Sequence, residues 1–416
     1  YMRNDLADAG LADFNHALSI DPTNETSLHS LGTFHFDKGN FQQAEHYYQQ
    51  AVDAHPHNSE SYINLGSVLK ATSQTKRAVK CYQKGLSIGT PDALMRWNYS
   101  LTLLMDGQFE EGWRQYGSRM APEKVVQYFC PPKFKCSLWQ GEDIHSKSLL
   151  LIAEQGIGDE VMFIGAVKAL EPKLPKDLTI AASKRLTCLL QRSFPHAKIV
   201  EKDLLGKYEQ LKNKPSLYCP LGSLPQLAKL GTKLQHLNPP WLKSDASKQH
   251  LWQQRYAQLP HKLNIGISWR GGAGKLDWQQ QNRSIQLHDW LTLFKEEANI
   301  INLQYGDHQA EITALQNAHN IQFHDWNDAD PLKDLDNFAA QISALDFVVS
   351  VDNSTVHFAA ALGVPTLILL DQHSEWRWLV GKNTSYWYNN TATLLRRKAG
   401  ETNAQLVARA VDCISG

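Results

Sequence analysis

The chain has no excess of charge of either sign: 42 Lys+Arg stand against 42 Asp+Glu in 416 residues, a formal net charge of zero. A general binder of nucleic acid or of an anionic membrane needs a basic surplus to displace counterions or meet lipid charge, so both classes are set aside. Cysteine is sparse. The six residues Cys81, Cys130, Cys136, Cys188, Cys219 and Cys413 form no Cys-x-x-Cys pair, whereas zinc sites use tight spacings and disulfide frameworks are dense in short chains. Reduced thiols and a cytoplasmic location are expected. Long hydrophobic runs are missing too. The longest apolar stretch, Phe358 to Leu370, is broken by Gly363 and Pro365 and falls far short of the ~20 residues of a bilayer span. No signal-peptide pattern opens the chain. Triplets such as Asn24-Glu25-Thr26 fit the Asn-x-Ser/Thr pattern, but in a chain this long they arise by chance and do not imply secretion.

What is present is ordinary globular material, 42% apolar and 20% charged, in a length that at roughly 150 residues per domain points to about three domains. The first of these is a repeat. Leu31-Gly32, Ala44, Tyr48, Ala51 and Pro56 return 34 residues later as Leu65-Gly66, Ala78, Tyr82, Gly85 and Thr90, with Pro91 one place on. This is the tetratricopeptide period, in which small residues let two helices approach, an aromatic fills the gap and Pro ends the second helix. One period back, Phe14, Ala17 and Pro22 fit the second helix of a repeat whose first helix would precede Tyr1, so the chain reads as truncated. Forward, Trp97 to Arg119 reads as a degenerate last pair with Gly107 at its turn, and Trp113, Tyr116 and Arg119 as capping or docking residues. Residues 1–120 are therefore predicted to form an interaction array that recruits a polypeptide. A linker, 121–140, carries Pro131-Pro132.

Beyond it, short continuous apolar runs signal strands buried on both faces: Leu149 to Ala153, Leu178 to Ala182, Lys198 to Val200 and Leu217 to Cys219 in a unit spanning 141–258. Leu263 to Trp269, Ile300 to Leu303, Ile321 to Phe323, Phe347 to Val351 and Thr366 to Leu370 belong to a second unit, 259–400. A helix from Asn403 to Ile414 lies in the last segment, 401–416. The expected fold is thus a helical repeat array followed by two α/β lobes, with ligands at the C-terminal ends of the strands.

Val348-Val349-Ser350-Val351-Asp352-Asn353-Ser354-Thr355 followed by Val356-His357-Phe358-Ala359-Ala360-Ala361-Leu362-Gly363-Val364-Pro365 is the most informative segment. It reads as a buried strand, a polar loop and a small-residue helix whose N-terminus suits an anion such as a diphosphate. A plain helix cap by Asp352 or Ser354 explains the same residues. Together with the Gly156-Ile157-Gly158-Asp159 loop, Arg283 seven residues before Trp290, and the strand Ile300 to Gln304, this segment resembles glycosyltransferase family 9, the heptosyltransferase-type enzymes of GT-B fold. Trp376-Arg377-Trp378-Leu379, Tyr386-Trp387-Tyr388 and the repeats in front resemble bacterial tetratricopeptide-repeat glycosyltransferases, more distantly protein O-linked N-acetylglucosaminyltransferases.

The resemblance implies roles. Asp159 would be the base that deprotonates the acceptor hydroxyl, Arg283 would bind the donor diphosphate with its two-oxygen fork, and Asp352 would touch the transferred sugar. Asn353, Ser354, Thr355 and His357 would hold the phosphates, and Gln304 the base or ribose. For Asp159 a helix cap, for Arg283 a surface position and for His357 a satisfied helix histidine are the plainer alternatives. The chain departs from the family at Asn353-Ser354-Thr355, where Thr followed by Gly or Ala is common, and at Asn389, where repeat-bearing relatives carry Pro. Asp328-Ala329-Asp330 spells a metal-binding Asp-x-Asp but precedes Pro331 and a helix, away from a nucleotide strand, and no metal is expected. Gly271-Gly272-Ala273-Gly274-Lys275 lacks the frame of a phosphate loop. The implied activity is transfer of a sugar, with inversion, from a nucleotide-diphosphate sugar in the second lobe to a hydroxyl or amide acceptor, without a cofactor. A repeat scaffold with an inactive transferase half, and a GT-B enzyme of another kind such as a sugar-nucleotide epimerase, are the alternatives.

Overall fold

The computed structural model describes residues 4–89, 93–120, 136–205, 215–272 and 277–415. The Thr90-Pro91 repeat end, the Pro131-Pro132 linker and Ala273-Gly274-Lys275 lie outside these. The helical array comprises α1 (Asn4–Ile20), α2 (Glu25–Asp37), α3 (Phe41–Ala54), α4 (Ser59–Ala71), α5 (Thr75–Ile88), α6 (Ala93–Met105) and α7 (Phe109–Tyr116). Then come β1 (Ser137–Leu138), β2 (Ser148–Ile152), α8 (Ile157–Leu170), β3 (Asp177–Ala182), α9 (Thr187–Ser193), β4 (Lys198–Glu201), β5 (Leu217–Pro220), α10 (Leu224–Leu227) and α11 (Ala246–Tyr256). The remainder is β6 (Leu263–Ser268), α12 (Asp277–Gln281), β7 (Ala298–Asn302), α13 (Gln309–His319), α14 (Leu335–Ser343), β8 (Phe347–Val351), α15 (Ser354–Ala361), β9 (Thr366–Leu370), β10 (Ala392–Arg396) and α16 (Asn403–Ser415).

Two compact units emerge. The first holds residues 1–126 with 273–282 and 373–380. Its helices are built by contacts that repeat with the sequence. Asn24 and Asn58 start α2 and α4, accepting the Ser27 and Glu60 N–H groups at 3.0 and 2.8 Å, the preferred way to satisfy a helix's first donors. A Cβ at Gly32 would stand 2.5 Å from the Tyr48 ring, and one at Gly66 2.9 Å from Tyr82, so the missing side chain is what seats each tyrosine. The hydroxyls repeat as well: Tyr48 lies 2.9 Å from the Thr33 hydroxyl and Tyr82 3.1 Å from that of Ser67. Burial pushes the Tyr48 hydroxyl up to about 12, keeping it protonated. One period further, Ser100 and Tyr116 occupy the matching places and Gly107 takes the turn between α6 and α7 at φ +81°. Tyr116 packs on Trp97 and Trp113, at 4.8 and 5.2 Å between ring centroids. The buried Arg119 lies 4.5 Å over the Tyr116 ring.

The segments of this unit that come from later in the chain are aromatic plugs. Trp278 of α12 meets Phe36 and Phe41 edge-on, at 5.7 and 4.9 Å, and Trp376 lies 5.9 Å from both Trp113 and Tyr116. The Val380 N–H donates to the Met105 carbonyl at 3.0 Å.

The second unit, residues 127–272, 283–372 and 381–416, contains two parallel five-stranded sheets in the orders β1-β5-β2-β3-β4 and β10-β9-β8-β6-β7. Central strands read as near-continuous apolar runs because helices cover both faces: Leu149 to Ile152 and Val348 to Val351, Ser350 included, are buried throughout. The expected architecture, repeats followed by a two-lobed α/β unit, is present. Two strands had no apolar run to announce them: β1 is two residues long, and β10 is an edge strand of sequence Ala-Thr-Leu-Leu-Arg. The strand expected at Ile321 to Phe323 does not form. The residue after it, His324, makes a single parallel bridge with Ile301 at the edge beyond β7. Among the described residues no helix is long and apolar enough to cross a membrane.

Candidate functional site

β8 delivers Asp352 and Asn353 to the carboxyl edge of its sheet, both at most 5% exposed. The helix cap is neither Asp352 nor Ser354 but Asn353, whose Oδ1 accepts the Thr355 N–H at 2.9 Å. Its Nδ2 donates to the Ser268 hydroxyl at 2.7 Å and the Arg270 carbonyl at 3.0 Å, so one side chain fixes α15 and the end of β6 together. The Thr355 hydroxyl is buried with no hydrogen-bond partner among the described residues. Ser354, at the first helical position, is partly exposed.

Arg283 comes to the same edge. Its Nε and Nη2 donate to the Asp352 carbonyl at 3.0 and 2.8 Å, and Nε lies 3.4 Å from the Asp352 carboxylate. Arg283 can approach because Gly271 has no side chain: a Cβ there would stand 2.8 Å from the Arg283 Cβ and carbonyl. Two of the five guanidinium N–H groups are thereby used, and its side chain remains 30% exposed.

The first lobe contributes its glycine loop. Asp159, the third residue of α8, accepts the Gly156 N–H at 3.3 Å, a first-turn cap of the expected kind. A Cβ at Gly158 would lie 3.5 Å from the Ser354 Cα and 2.8 Å from His357 Cδ2. The loop bearing Asp159 is thus seated directly on the turn that starts α15. His357 is 4% exposed, with Nδ1 2.7 Å from the Tyr388 hydroxyl. Tyr388 in turn stacks on Trp241 at 5.3 Å and 18°. That is the environment of a packed helix histidine, buried against the facing lobe.

Gln304 is also interior. Its Oε1 accepts from the Ser268 hydroxyl and the Trp269 and Arg270 N–H groups at 3.0, 2.9 and 2.8 Å, while Nε2 donates to the Tyr305 carbonyl at 3.1 Å. Both ends of the amide hold backbone, and the residue is 3% exposed. Beside it opens a cavity of about 650 Å³ lined by Asn302, Gln304, His308, Asp325, Trp326 and Asp330 among others. Sequence reasoning passed over His308 and Asp325. Asp325 Oδ1 accepts Asn302 Nδ2 at 2.8 Å, and Oδ2 lies 3.5 Å from His308 Nε2. The hydrogen bond to Asp325 raises the His308 pKa against the effect of burial. Burial opposes ionisation of Asp325, yet the bonds from His308 and Asn302 hold its carboxyl below the usual range. The one available sequence signal was position: His308 lies five residues after Leu303, and Asp325 two after Phe323, each in a polar stretch that follows an expected strand. In the Asp-x-Asp triplet, Asp328 pairs with Arg255 through two 2.9 Å bonds and Asp330 caps the Leu332 N–H at 2.8 Å. The two carboxylates serve different partners.

Residues 23–90 match the tetratricopeptide repeat family. Protein FlbA of Caulobacter vibrioides is 26% identical over 408 residues, covering 92% of this chain; the chain spans 66% of that protein's length. Among solved structures, a glycosyl transferase family 9 protein of Veillonella parvula aligns with TM-score 0.48 and 9% identity over 66% of this chain and 97% of that one. A mutant O-GlcNAc transferase of Thermobaculum terrenum aligns with TM-score 0.31 and 12% identity over 99% and 90%. The chain thus carries tetratricopeptide repeats at its N-terminal end, over residues 23–90, and an α/β unit of two parallel five-stranded sheets after them.

Proposed function

We propose that the protein is a glycosyltransferase that moves a sugar from a nucleotide-diphosphate sugar to the hydroxyl of a polypeptide brought by the repeats, acting in the cytoplasm. The observation that carries this reading is the seat of Gly158 on Ser354 and His357, which brings the Asp159 loop of one lobe to the turn of the other that also holds Arg283. A carboxylate beside a helix N-terminus and a guanidinium is a sensible arrangement for the reaction. The acceptor oxygen attacks the anomeric carbon, its proton passes to Asp159, and the bond to the phosphate oxygen breaks with its electron pair leaving on the diphosphate. Arg283 has three N–H donors beyond those given to Asp352. With the α15 dipole and the Thr355 hydroxyl, they meet charge that grows as the diphosphate departs. Attack from the face opposite the leaving group inverts the anomeric centre, and the cationic partner takes the place of a metal.

The test is thermal stabilisation of the chain by UDP, GDP, ADP, dTDP and CDP without added metal. A ligand at a hundred times its dissociation constant contributes about 2.7 kcal/mol to the unit that binds it. One nucleotide should stand out, and its shift should vanish in Arg283→Ala. If none of the five shifts the transition, the donor reading fails and a repeat scaffold without a working donor site takes its place.

A further inference from the structure

We propose that Trp278 is a positioning residue for Arg283, so that the repeat array, besides recruiting a polypeptide, holds the guanidinium of the donor site in place; this rests on the nucleotide-sugar reading above. The chain leaves β6 at Ser268 and comes back beside it through Arg283. The base of this excursion is closed. The Ile285 N–H donates to the Trp269 carbonyl and the Gly271 N–H to the Arg283 carbonyl, both at 2.8 Å, and Arg270 pairs antiparallel with Ser284. Its outer part, residues 273–282, belongs to the unit of the array, where Trp278 packs edge-on against Phe36 and Phe41. No slack separates anchor from guanidinium: the Asn282 N–H donates to the Trp278 carbonyl at 2.9 Å, closing one helical turn, and Arg283 is the next residue.

The array is shaped to take this plug. Gly39 turns the chain from α2 into α3 at φ +76°, and a Cβ there would stand 3.2 Å from that of Trp278, so even the smallest side chain would crowd the stem of the ring. The rest of α12 is Asp277 and three glutamines, and burial of the one aromatic against two others is what fixes the helix. One and two periods on, the matching turns at Ser73 and Gly107 are also left-handed, at φ +58° and +81°. Ser73 Oγ lies 3.3 Å from His373 Nδ1, and the Val380 N–H bonds to Met105, two residues before Gly107. The segment 373–380 follows β9 as the Trp278 excursion follows β6. The turn within each period therefore receives a loop that leaves the carboxyl edge of the second sheet. With two of its N–H groups given to the Asp352 carbonyl and its chain anchored from behind, Arg283 has less freedom to lose when a diphosphate arrives.

The experiment titrates the full chain calorimetrically with UDP, GDP, ADP and CDP and with the matching monophosphates, in wild type, Trp278→Ala, Trp278→Phe and Phe41→Leu. Wild type should bind the preferred diphosphate about tenfold or more tighter than its monophosphate, the scale of a hydrogen bond to a charged group. In Trp278→Ala the ratio should fall toward one through loss of diphosphate affinity, the monophosphate binding as before. Trp278→Phe, which keeps an aromatic plug, should restore it. Phe41→Leu, a change in the array alone, should lower the ratio in the same direction as Trp278→Ala. A plug that only fastens the chain would leave the ratio at its wild-type value or weaken both nucleotides alike, and either result overturns the assignment while leaving the donor site intact. A wild-type ratio of one overturns it as well. Binding of no nucleotide at all overturns this inference together with the donor reading. Should Trp278→Ala fail to fold, Phe41→Leu decides.

Discussion

Substituting Gly158 by Ala tests the seat on which the proposed chemistry depends. The new methyl would arrive 2.8 Å from His357 Cδ2 and 3.5 Å from the Ser354 Cα. The first contact cannot relax cheaply, because the imidazole is held by the Tyr388 hydroxyl at 2.7 Å and Tyr388 is stacked on Trp241. Overpacking of this kind costs about 1–3 kcal/mol. Alanine's better helix propensity offsets at most about 1 kcal/mol, and less at the second residue of α8. The net loss is about 1–2 kcal/mol, a fall of roughly 2–6 °C in the melting of the α/β unit. Scanning calorimetry of the full chain reads this. The cause is isolated by His357→Ala, which leaves its own cavity but gives the methyl room. Gly158→Ala combined with His357→Ala should be more stable than the sum of the single effects by about 1–2 kcal/mol. A Gly158→Ala variant that melts at or above wild type, or strict additivity with His357→Ala, refutes the close approach of the two loops.

Two other outcomes follow from the same site. Asp159→Asn keeps an acceptor for the Gly156 N–H, so folding should change by less than about 1 kcal/mol and nucleotide binding should stay, while transfer collapses; unchanged turnover sinks Asp159 as the base. The His308–Asp325 pair sets a pH window. His308 is raised above 6.5, so its share of stability is whole below that value and is lost as pH climbs through the raised one. Asp325 is lowered below 3.8, so its share is present above that and is lost as pH falls through the lowered value. Chemical denaturation across pH should therefore show an alkaline-side decline that His308→Gln flattens, and an equal decline in the variant contradicts the pairing.

The repeats could be read from sequence because their packing demands a small residue opposite an aromatic at a fixed distance, and Gly32 with Tyr48 and Gly66 with Tyr82 satisfy it twice. The central strands could be read because burial on both faces leaves their runs almost wholly apolar, Ser350 being the one polar residue of β8. Where burial is one-sided the signal fades: β10 carries Thr393 and Arg396 among its apolar residues, and Ile321-Gln322-Phe323, with a polar residue at its centre, leads only to a bridge at His324 and no strand. The motif Asp352 to Thr355 was visible, yet its internal division of labour was not. Which polar residue caps α15 depends on Ser268 and Arg270, some 85 positions away, with which Asn353 also bonds. Gln304 and Asp325 show the same limit in reverse. Both come after strand-like runs and both line the cavity, and only the folded backbone shows that Gln304 spends its amide oxygen on Ser268, Trp269 and Arg270. That Trp278 belongs with Phe36 and Phe41 is likewise unreadable locally, although a tryptophan amid Asp-Gln-Gln-Gln already hints at a partner elsewhere.

The tyrosine seats of the array carry one more implication. Each ring closes onto a glycine sixteen places earlier in its own period, and onto a hydroxyl next to that glycine, Thr33 for Tyr48 and Ser67 for Tyr82. The fastener is therefore internal to the period, and adjoining periods need only match surfaces. Gene-level growth or shrinkage by whole 34-residue steps keeps every surviving fastener intact, and the recognition surface lengthens or shortens without redesign. A slip of any other length between glycine and ring would carry the tyrosine past its seat and strand a large aromatic against a side chain. The array's length is free to vary only in steps of one period, and the range of partners it can span grows in the same steps.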